Sequence, residues 1–421
     1  MRRSICFLLV LASLVVGCGP SRTLDDDDTD PVRIGLVLSL SGDLGASGQH
    51  RLDAVRLAVR EVNAAGGVLP ARRVELVSAD GESMPEVAVS ASRGILAASP
   101  DVVALIGDSG STSTLRIAME VTQPAGILHA SGSSTSTLLT DLQRSLEEDE
   151  RWFFRTAPSD ASQAPVLAEV MHARECTSVM IVHVDNDYGM PFEAGVRARF
   201  TQLAGAGALM PSLAITDNRA DYTSDAMAVA AAAPACAALI AYPGSGGRLM
   251  RAWNSIATRP NVRWFGADAL RQPAFVEEAG SGVLTGFLGT APLTDPETPA
   301  NNAFRAAYAA TFGREPATFD ASFYDAAALI LLSIAAAGID EPVAMRDALR
   351  TLSDPSGVVV RAGSLAEGIR LLRDGRVINY EGASGPVDVD ELGEVEGVFE
   401  VWRVNAEGAF ERDETLYPAT L

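Results

Sequence analysis

Apolar residues recur along this chain in two alternating patterns. Short continuous apolar runs, typical of strands buried on both faces, are separated by segments in which apolar residues lie three and four positions apart, typical of amphipathic helices. The first such helix carries Leu52, Val55, Val59 and Val62 on one face. The runs predict strands at Val32 to Leu38, Val74 to Ala79, Val102 to Ile106, Ala125 to Leu128, Val179 to Val184, Leu209 to Ile215, Ala237 to Ala241 and Val262 to Phe265. This alternation predicts an α/β fold built on doubly wound parallel sheets.

The alternation stops at a charged segment, residues 147–151, and then restarts, which indicates two lobes. We predict that the chain crosses between the lobes at Phe154 to Pro158, at Gly286 to Pro292 and again within Gly382 to Val404. The last segment ends in the alternating sequence G-V-F-E-V-W-R-V, which is typical of a strand. The prediction is therefore two doubly wound parallel-sheet lobes, joined by a multi-strand hinge around a cleft.

The crossings assign residues 32–156 plus 289–382 to lobe 1 and residues 157–288 plus 383–421 to lobe 2. Ala321 to Ala337 is apolar on nearly all sides, so we predict a buried helix at the base of a lobe. Residues 353–376 match no pattern that we can interpret.

The N-terminal segment has the pattern of a targeting sequence. Two arginines precede an apolar run, Ile5 to Val16, that is too short to span a bilayer. The run leads into L-V-V-G-C, Leu14 to Cys18, which resembles a bacterial lipobox. The resemblance implies that residues 1–17 are a cleaved lipoprotein signal and that Cys18 carries the lipid anchor, with residues 18–31 as an acidic tether. An ordinary secretory signal or a plain transmembrane anchor is the alternative.

Composition excludes several classes of protein. The chain holds 33 lysine plus arginine residues against 54 aspartate plus glutamate residues, and the net charge of −21 repels nucleic acid. No lysine occurs, which excludes a P-loop lysine, a Schiff-base lysine and a Ser-Lys dyad. Cys6 would leave with the signal and Cys18 would carry lipid. Cys176 and Cys236 remain, each just before an apolar run, and they form either a disulfide or two buried free thiols.

Two loops rich in hydroxyl groups follow successive predicted strands. One is G-D-S-G-S-T-S-T, Gly107 to Thr114, and the other is H-A-S-G-S-S-T-S-T, His129 to Thr137. Such loops hold a small anion, such as a carboxylate, through hydroxyls and backbone N–H groups. The string around Ser109 also matches a chymotrypsin-type serine nucleophile, but no histidine has a supporting motif. A hydrolase that uses Ser109 is therefore the weaker reading, and we interpret the string as an ordinary turn.

Gly42, Gly45 and Gly48 stand where a dinucleotide loop would lie, but their spacing does not match that fingerprint. We therefore expect no cofactor, and the histidines and cysteines show no metal-ligand spacing. Ser47 is expected either as the N-cap of the following helix or as a ligand contact.

Three further candidates follow strands of the second lobe, at the sheet edge where open α/β sheets bind ligands. They are Tyr188, Tyr242 and Asp268. The carboxylate of Asp268 could pair with a ligand ammonium group and the tyrosines could form a wall. A helix N-cap for Asp268 and simple packing for the tyrosines are the alternatives.

The chain as a whole resembles the branched-chain amino-acid-binding family of ABC transporter substrate-binding lipoproteins, which have the type I periplasmic-binding-protein fold. The similarity is carried by R-I-G-L-V-L-S-L-S-G from Arg33, E-V-N-A-A-G-G-V-L from Glu61, F-F-R-T-A-P-S-D from Phe153, D-N-D-Y-G from Asp185, F-D-A-S-F-Y-D-A-A from Phe319 and G-A-S-G-P-V from Gly382.

The resemblance implies a role for each candidate. It places the ligand α-carboxylate on Ser111, Ser131, Gly132 and Ser133, and the ammonium group on Asp268. Tyr188 matches a cleft tyrosine of the family and Tyr242 matches more loosely. Ser47 stands where the family often has an aromatic residue, and the second hydroxyl loop is slightly longer than in the family.

These observations predict a non-enzymatic, monomeric lipoprotein of the cell envelope that faces the periplasm or the exterior. It would capture a small zwitterion, with an amino acid as the expected ligand, and deliver it to the permease of an ABC importer. A ligand-sensing receptor with the same fold is the alternative from another class. A binder of an amide, urea or an aromatic acid is the alternative within the binding class.

Overall fold

The computed structural model describes residues 30–280 and 282–416, and the chain from Pro31 onward forms one compact unit. The predicted signal, Cys18 and nearly all of the predicted tether lie outside the described residues. The strands are β1 Val32–Leu38, β2 Val74–Asp80, β3 Val102–Gly107, β4 Leu128–Ser131, β5 Phe153–Arg155, β6 Val179–Val184, β7 Leu213–Ile215, β8 Cys236–Ile240, β9 Arg263–Gly266, β10 Leu288–Pro292, β11 Val358–Arg361, β12 Ile378–Glu381, β13 Phe399–Val404 and β14 Phe410–Leu416.

Helices connect these strands. They are α1 Gly45–Ala64, α2 Pro85–Ala98, α3 Ser111–Ile117, α4 Gln123–Ala125, α5 Thr137–Arg144, α6 Asp160–Ala173, α7 Gly189–Ala204, α8 Thr223–Ala232, α9 Pro243–Ser255, α10 Pro273–Ala279, α11 Pro299–Phe312, α12 Asp320–Ala337, α13 Pro342–Leu349 and α14 Leu365–Arg373.

Two sheets organise the molecule, and their parallel parts have the same strand order. The first sheet runs β2-β1-β3-β4-β5, with parallel pairing throughout. The second runs β14-β13-β10-β9-β8-β6-β7, in which β7 to β10 are parallel. β13 and β14 add antiparallel pairs at one edge. The predicted α/β fold with parallel sheets is confirmed, and the predicted late strand is β13.

Each sheet has its own apolar core. The core of the first sheet includes α1 and α11 to α14 on one face, and a smaller cluster under α2 and α3 on the other. The second core joins the second sheet to α6 through α10. We call these two bodies the first lobe and the second lobe. Helices cover both faces of each sheet because strands buried on both sides need apolar partners on both sides.

Helix α12 is the centre of the first lobe. It is long and apolar enough to cross a membrane, but 16 of its 18 residues are buried within the protein. The segment after β4 packs closely against this helix at Gly132. A side chain at Gly132 would meet the backbone nitrogen of Phe323, in α12, at 2.7 Å. The buried helix predicted from residue 321 is this core helix.

The chain passes between the lobes three times: between β5 and α6, between β10 and α11, and between β12 and β13. Strand β10 pairs with β9 and β13, which places it in the second sheet. The boundary that we set at residue 289 falls inside this strand, so the second crossing follows Pro292.

One strand begins later than its apolar run predicts. The run from Ala125 to Leu128 starts in the short helix α4, and Gly126 then takes a left-handed conformation with φ of 63°. Strand β4 begins only at Leu128. His129 and Ser131 therefore belong to a buried strand rather than to a loop.

Two further features complete the fold. The stretch that we could not interpret forms β11, α14 and β12, with the two strands paired in parallel beside α12. Cys176 and Cys236 form a disulfide with Cα atoms 5.7 Å apart. The bond lies at the amino ends of β6 and β8, which are neighbours in the second sheet.

Candidate functional site

The carboxyl ends of strands from both lobes line a small cavity of about 10 Å³. This is roughly the space of a single water molecule, so any larger ligand requires the lobes or the lining side chains to move apart. Loops after β1, β3 and β4 form one wall, and loops after β6, β8 and β9 form the other. The lining residues are Leu44, Arg51, Ser109, Gly110, Ser111, Ser133, Thr135, Tyr188, Tyr242, Asp268, Ala269 and Phe319.

The first wall is rich in hydroxyl groups. Ser111 begins α3, and its Oγ accepts a hydrogen bond from the backbone N–H of Ser136 at 3.3 Å, which leaves its proton for another partner. The hydroxyl of Ser133 donates to the backbone oxygen of Ser109 at 2.9 Å. The Oγ of Ser109 is buried and has no hydrogen-bond partner among the described residues. Thr135, which sequence reasoning left out, lies beside them.

Ser131 and Gly132, both predicted at the site, lie behind this wall. The Ser131 hydroxyl donates to the backbone oxygen of Asp108 at 3.0 Å and accepts from the N–H of Ser134 at 3.2 Å, so it holds the two hydroxyl loops together. Gly132 packs against Phe323. The placement differs from the one that the family resemblance implied, because β4 extends through Ser131 and the part of the loop that lines the cavity is at Ser133 and Thr135.

The opposite wall presents a carboxylate. Asp268 follows β9, is 1% exposed, and accepts a hydrogen bond from the hydroxyl of Tyr188 at 2.9 Å. Burial raises the pKa of Asp268 to about 6, although the hydrogen bond from Tyr188 opposes the shift. Tyr242 stacks on Tyr188 with ring centres 5.6 Å apart, and its hydroxyl lies 3.4 Å from Nδ2 of Asn186. Tyr188, Tyr242 and Asp268 are thus brought together, as expected from their positions after three strands.

A second acid lies close to Asp268. Asp160 begins α6, and both of its carboxyl oxygens are buried without a hydrogen-bond partner in the described chain. Burial and the negative charge of Asp268 raise the pKa of Asp160 well above its ordinary value. Sequence reasoning missed this residue, although its place at the start of a helix directly after a predicted crossing was a usable signal.

Arg51 is a further residue that the sequence did not bring to attention. It lines the cavity from α1, and its guanidinium carbon lies 5.9 Å from the ring centre of Phe319 and 5.6 Å from that of Phe323. Burial lowers the pKa of Arg51 to about 10, so the group is charged at neutral pH. The signal was available, because Arg51 precedes Val55 by four positions and so shares the apolar face of the helix.

Ser47 lies one turn before Arg51 on the same face of α1. The predicted N-cap role is wrong, because α1 begins at Gly45 and its N-cap is Leu44. The Oγ of Ser47 is buried and has no partner in the part of the chain that the structure describes. Its role as a ligand contact stays a prediction.

The surroundings of Ser109 do not favour hydrolytic chemistry. Since its Oγ has no partner among residues 30–280 and 282–416, no side chain there is placed to accept its proton. His129, the nearest histidine in sequence, is buried between the Gly107 backbone oxygen and the Thr122 hydroxyl. Burial lowers the pKa of His129 to about 4, and its two contacts tie β4 to the preceding elements. Within the described ranges no group of acidic, histidine and cysteine side chains is arranged to hold a metal ion.

Polar contacts close the two lobes over the cavity. Asp43, in the turn before α1, forms an ion pair with Arg248 of the second lobe and accepts a hydrogen bond from the N–H of Asn218 at 2.8 Å. A second contact between the lobes is the hydrogen bond that the N–H of Asp187 donates to the Thr112 hydroxyl at 3.1 Å. The lobes are therefore in a closed arrangement.

A family model described as periplasmic binding protein matches residues 31–385, which is most of the chain. The chain belongs to this periplasmic-binding-protein family. Members are extracytoplasmic proteins that bind small molecules for ABC-type transporters and are not enzymes. The predicted type I periplasmic-binding-protein fold is thereby confirmed.

Individual relatives span nearly the whole chain. The chemotactic signal transduction substrate-binding protein BasB of Halobacterium salinarum is 30% identical over 367 residues, which covers 85% of this chain and 83% of that protein. A leucine-binding protein from Thermotoga maritima superposes with a TM-score of 0.77 at 20% identity, covering 93% of this chain and all of that one. A solute-binding protein from R. palustris, solved with benzoate, superposes with a TM-score of 0.75 at 18% identity, covering 93% and 98%.

Proposed function

We propose that this periplasmic binding protein captures a zwitterionic amino acid between its lobes and presents it to the permease of an ABC importer. The observation that carries the proposal is the opposition of unlike groups across the cavity: hydroxyl loops on one wall and the carboxylate of Asp268 on the other. An α-amino acid carries a carboxylate and an ammonium group on its α-carbon. The carboxylate would meet the hydroxyl loops, and the ammonium group would meet Asp268.

The first wall would hold the α-carboxylate. Ser111 retains a free hydroxyl proton, and the Ser109 hydroxyl has no other partner in the described chain. Ser133 and Thr135 line the same wall, with Ser131 and Gly132 supporting them from behind. No cation is needed at this end, because several hydroxyl and backbone donors suffice for one carboxylate.

The second wall would hold the ammonium group. Asp268 is buried and already oriented by Tyr188, so it does not need to reorganise when ligand arrives. Tyr242 and Phe319 would cover the apolar part of the ligand. Because the two charged ends lie on different lobes, the ligand makes its full set of contacts only in the closed form, and binding drives closure.

Isothermal titration calorimetry against the common amino acids, with benzoate and urea added to the panel, tests this proposal directly. We expect at least one free amino acid to bind and its amidated or N-acetylated forms to bind far more weakly. If benzoate or urea binds and no amino acid does, the proposal is refuted in favour of the alternative within the binding class.

A sensory role is the second candidate, and one observation favours it: the relative from Halobacterium salinarum is a component of chemotactic signal transduction. Deleting the gene in its source organism separates the two roles. Loss of uptake of the radiolabelled ligand supports transport, whereas intact uptake with loss of a behavioural or transcriptional response supports sensing.

We also propose that Cys18 carries a lipid anchor. Mass spectrometry of the mature N-terminus tests this modification.

A further inference from the structure

Arg51 is a buried cation that lacks an anionic partner in the described chain. It is 2% exposed, and its Nε and Nη1 atoms have no hydrogen-bond partner. No carboxylate oxygen of the described residues lies within 4.0 Å of its nitrogen atoms. Burying a charged group in this state is costly unless something pairs with it.

Three carboxylates interact with Arg51 by charge, those of Asp320, Asp108 and Asp268, and each accepts a hydrogen bond from another group, which for Asp268 is the hydroxyl of Tyr188. Asp320 accepts from the backbone N–H of Ala317 at 2.7 Å and lies 3.3 Å from Nδ1 of His50. Asp108 accepts from the hydroxyl of Ser39 at 3.0 Å. These groups favour the charged form of Arg51 from a distance, but they leave its donors unused.

The guanidinium group is also held in place. It lies beside the rings of Phe319 and Phe323, which pack near it without satisfying its N–H groups. The hydroxyl of Ser47, on the same face of α1, is likewise buried without a partner among the residues described. Arg51 lines the cavity, and Ser47 lies one helical turn behind it, so the unused donors of Arg51 remain available to a ligand.

We infer that the ligand is an amino acid whose side chain ends in a carboxylate, and that Arg51 binds this second carboxylate with Ser47 beside it. The inference rests on the proposed function, in which the α-carboxylate and the ammonium group are already matched by the hydroxyl loops and Asp268. An uncharged side chain would seal Arg51 in the closed cleft with its donors unsatisfied. A carboxylate accepts two parallel hydrogen bonds from a guanidinium group.

Asp160 bears on the same charge balance. A second ionised acid near Asp268 would favour a ligand with an extra cation instead. Burial and the adjacent Asp268 raise the pKa of Asp160, which favours its protonated and uncharged form. In the proposed complex Asp268 pairs with the ligand ammonium group, and Asp160 favours its uncharged form. Arg51 is then the charged group beside the ligand that still needs a partner.

Titration of the wild-type protein with L-glutamate, L-aspartate, L-glutamine and L-leucine is the first test. Glutamine is the matched comparison, because it has the length of glutamate without the charge. We expect one of the two acidic amino acids to bind at least about tenfold more tightly than glutamine or leucine. Equal or tighter binding of glutamine or leucine overturns the inference.

The second test removes the cation. Arg51→Met keeps the length of the stem, and we expect it to weaken binding of the acidic amino acid by at least about tenfold while glutamine loses less or gains. Arg56→Met is the control, since the side chain of Arg56 lies on the same helix but is 43% exposed and pairs with Asp53 at 3.6 Å. An unchanged affinity of Arg51→Met for the acidic amino acid overturns the inference.

The outcomes separate this inference from the proposed function. If leucine or glutamine binds and the acidic amino acids do not, the assignment of Arg51 fails and the amino-acid receptor stands. If none of the four binds and benzoate does, the proposed function fails with it. Should Arg51→Met not fold, the wild-type ranking of glutamate against glutamine still decides the question.

Discussion

The Tyr188 hydroxyl donates a 2.9 Å hydrogen bond to Oδ1 of Asp268, and both groups are buried at the interface of the lobes. The bond orients the carboxylate toward the hydroxyl loops and partly offsets the cost of its burial. Several measurable consequences come from this pair and from the contacts around it.

Replacing Asp268 with asparagine should separate binding from stability. Asparagine can still accept the hydrogen bond from Tyr188, but it cannot pair with an ammonium group, so we expect amino-acid binding to fall by at least about a hundredfold. Because burial raises the pKa of Asp268 above its unfolded value, its ionised form destabilises the folded state at neutral pH. The Asp268→Asn variant should therefore be more stable than the wild type at pH 7.5, by up to ~3 kcal/mol in unfolding free energy, and should melt at a higher temperature. Unchanged affinity in calorimetry would refute the assignment.

The same carboxylate makes ligand affinity depend on pH. The pKa of Asp268 is about 6 without ligand, and the ammonium group requires the ionised form. Affinity should be full above that value and should fall by up to about tenfold for each pH unit below it. Calorimetry between pH 4.5 and 8, at roughly constant ionic strength, measures the profile. A flat profile across this range would contradict the role of Asp268.

Breaking the contact between Asp43 and Arg248 should weaken closure without touching the cavity. We expect Asp43→Ala to lower ligand affinity several-fold and to raise the radius of gyration of the unliganded protein, measured by small-angle scattering. Asp53→Ala is the matched control, because it removes an ion pair with Arg314 that lies inside the first lobe. If both variants change scattering equally, the contact of Asp43 is not what holds the lobes together.

Two neighbouring serines should respond differently to the same change. Ser111→Ala removes a hydroxyl that faces the cavity and accepts one 3.3 Å hydrogen bond from the N–H of Ser136, so affinity should fall with a smaller loss of stability than in Ser131→Ala. Ser131→Ala removes a buried link between the hydroxyl loops and should cost about 1–3 kcal/mol of stability. Denaturant unfolding and calorimetry on both variants provide the comparison, and the reverse pattern would restore the placement that the sequence suggested.

Loss of the disulfide should affect stability alone. The bond joins residues separated by 60 positions, and closing a loop of that length is worth roughly 4 kcal/mol in the chain-entropy model. Cys176→Ser with Cys236→Ser should therefore lower the melting temperature but preserve ligand affinity, because the bond lies at the strand ends away from the cavity. A change in affinity larger than about threefold in the folded variant would show that the two ends of the sheet are coupled.

Periodicity was enough to predict the layered fold. Apolar runs such as Val179–Val184, alternating with amphipathic helices, predict strands buried on both faces, and the position of Asp268 directly after such a run placed it at the ligand-binding edge. Strand β14 escaped prediction because F-E-R-D-E-T-L is mostly charged, as an edge strand can be. Its pairing depends on β13, which the local pattern does not contain.

The candidate site was predictable only in part. Positions directly after strands were found, whereas Arg51 and Asp160 were missed. Helical spacing and the start of a helix marked their positions, but the fold alone determines which charged residues become buried beside the cavity. The part of the second hydroxyl loop that lines the cavity lies nearer Thr135 than Ser131. This difference arises from one structural detail, the late start of β4 after Gly126. Apolar pattern alone does not fix such a boundary, since a short helix and a strand both bury the same run.

The disulfide of the second lobe fastens the edge of the sheet that is opposite the ligand. The disulfide stabilises the lobe at the amino ends of its strands. This stability offsets the cost of burying a charged group such as Asp268 at their carboxyl ends. Such proteins can therefore change cleft residues, and with them their ligand specificity, while the rest of the lobe stays folded. The covalent bond in this view is a source of evolvability.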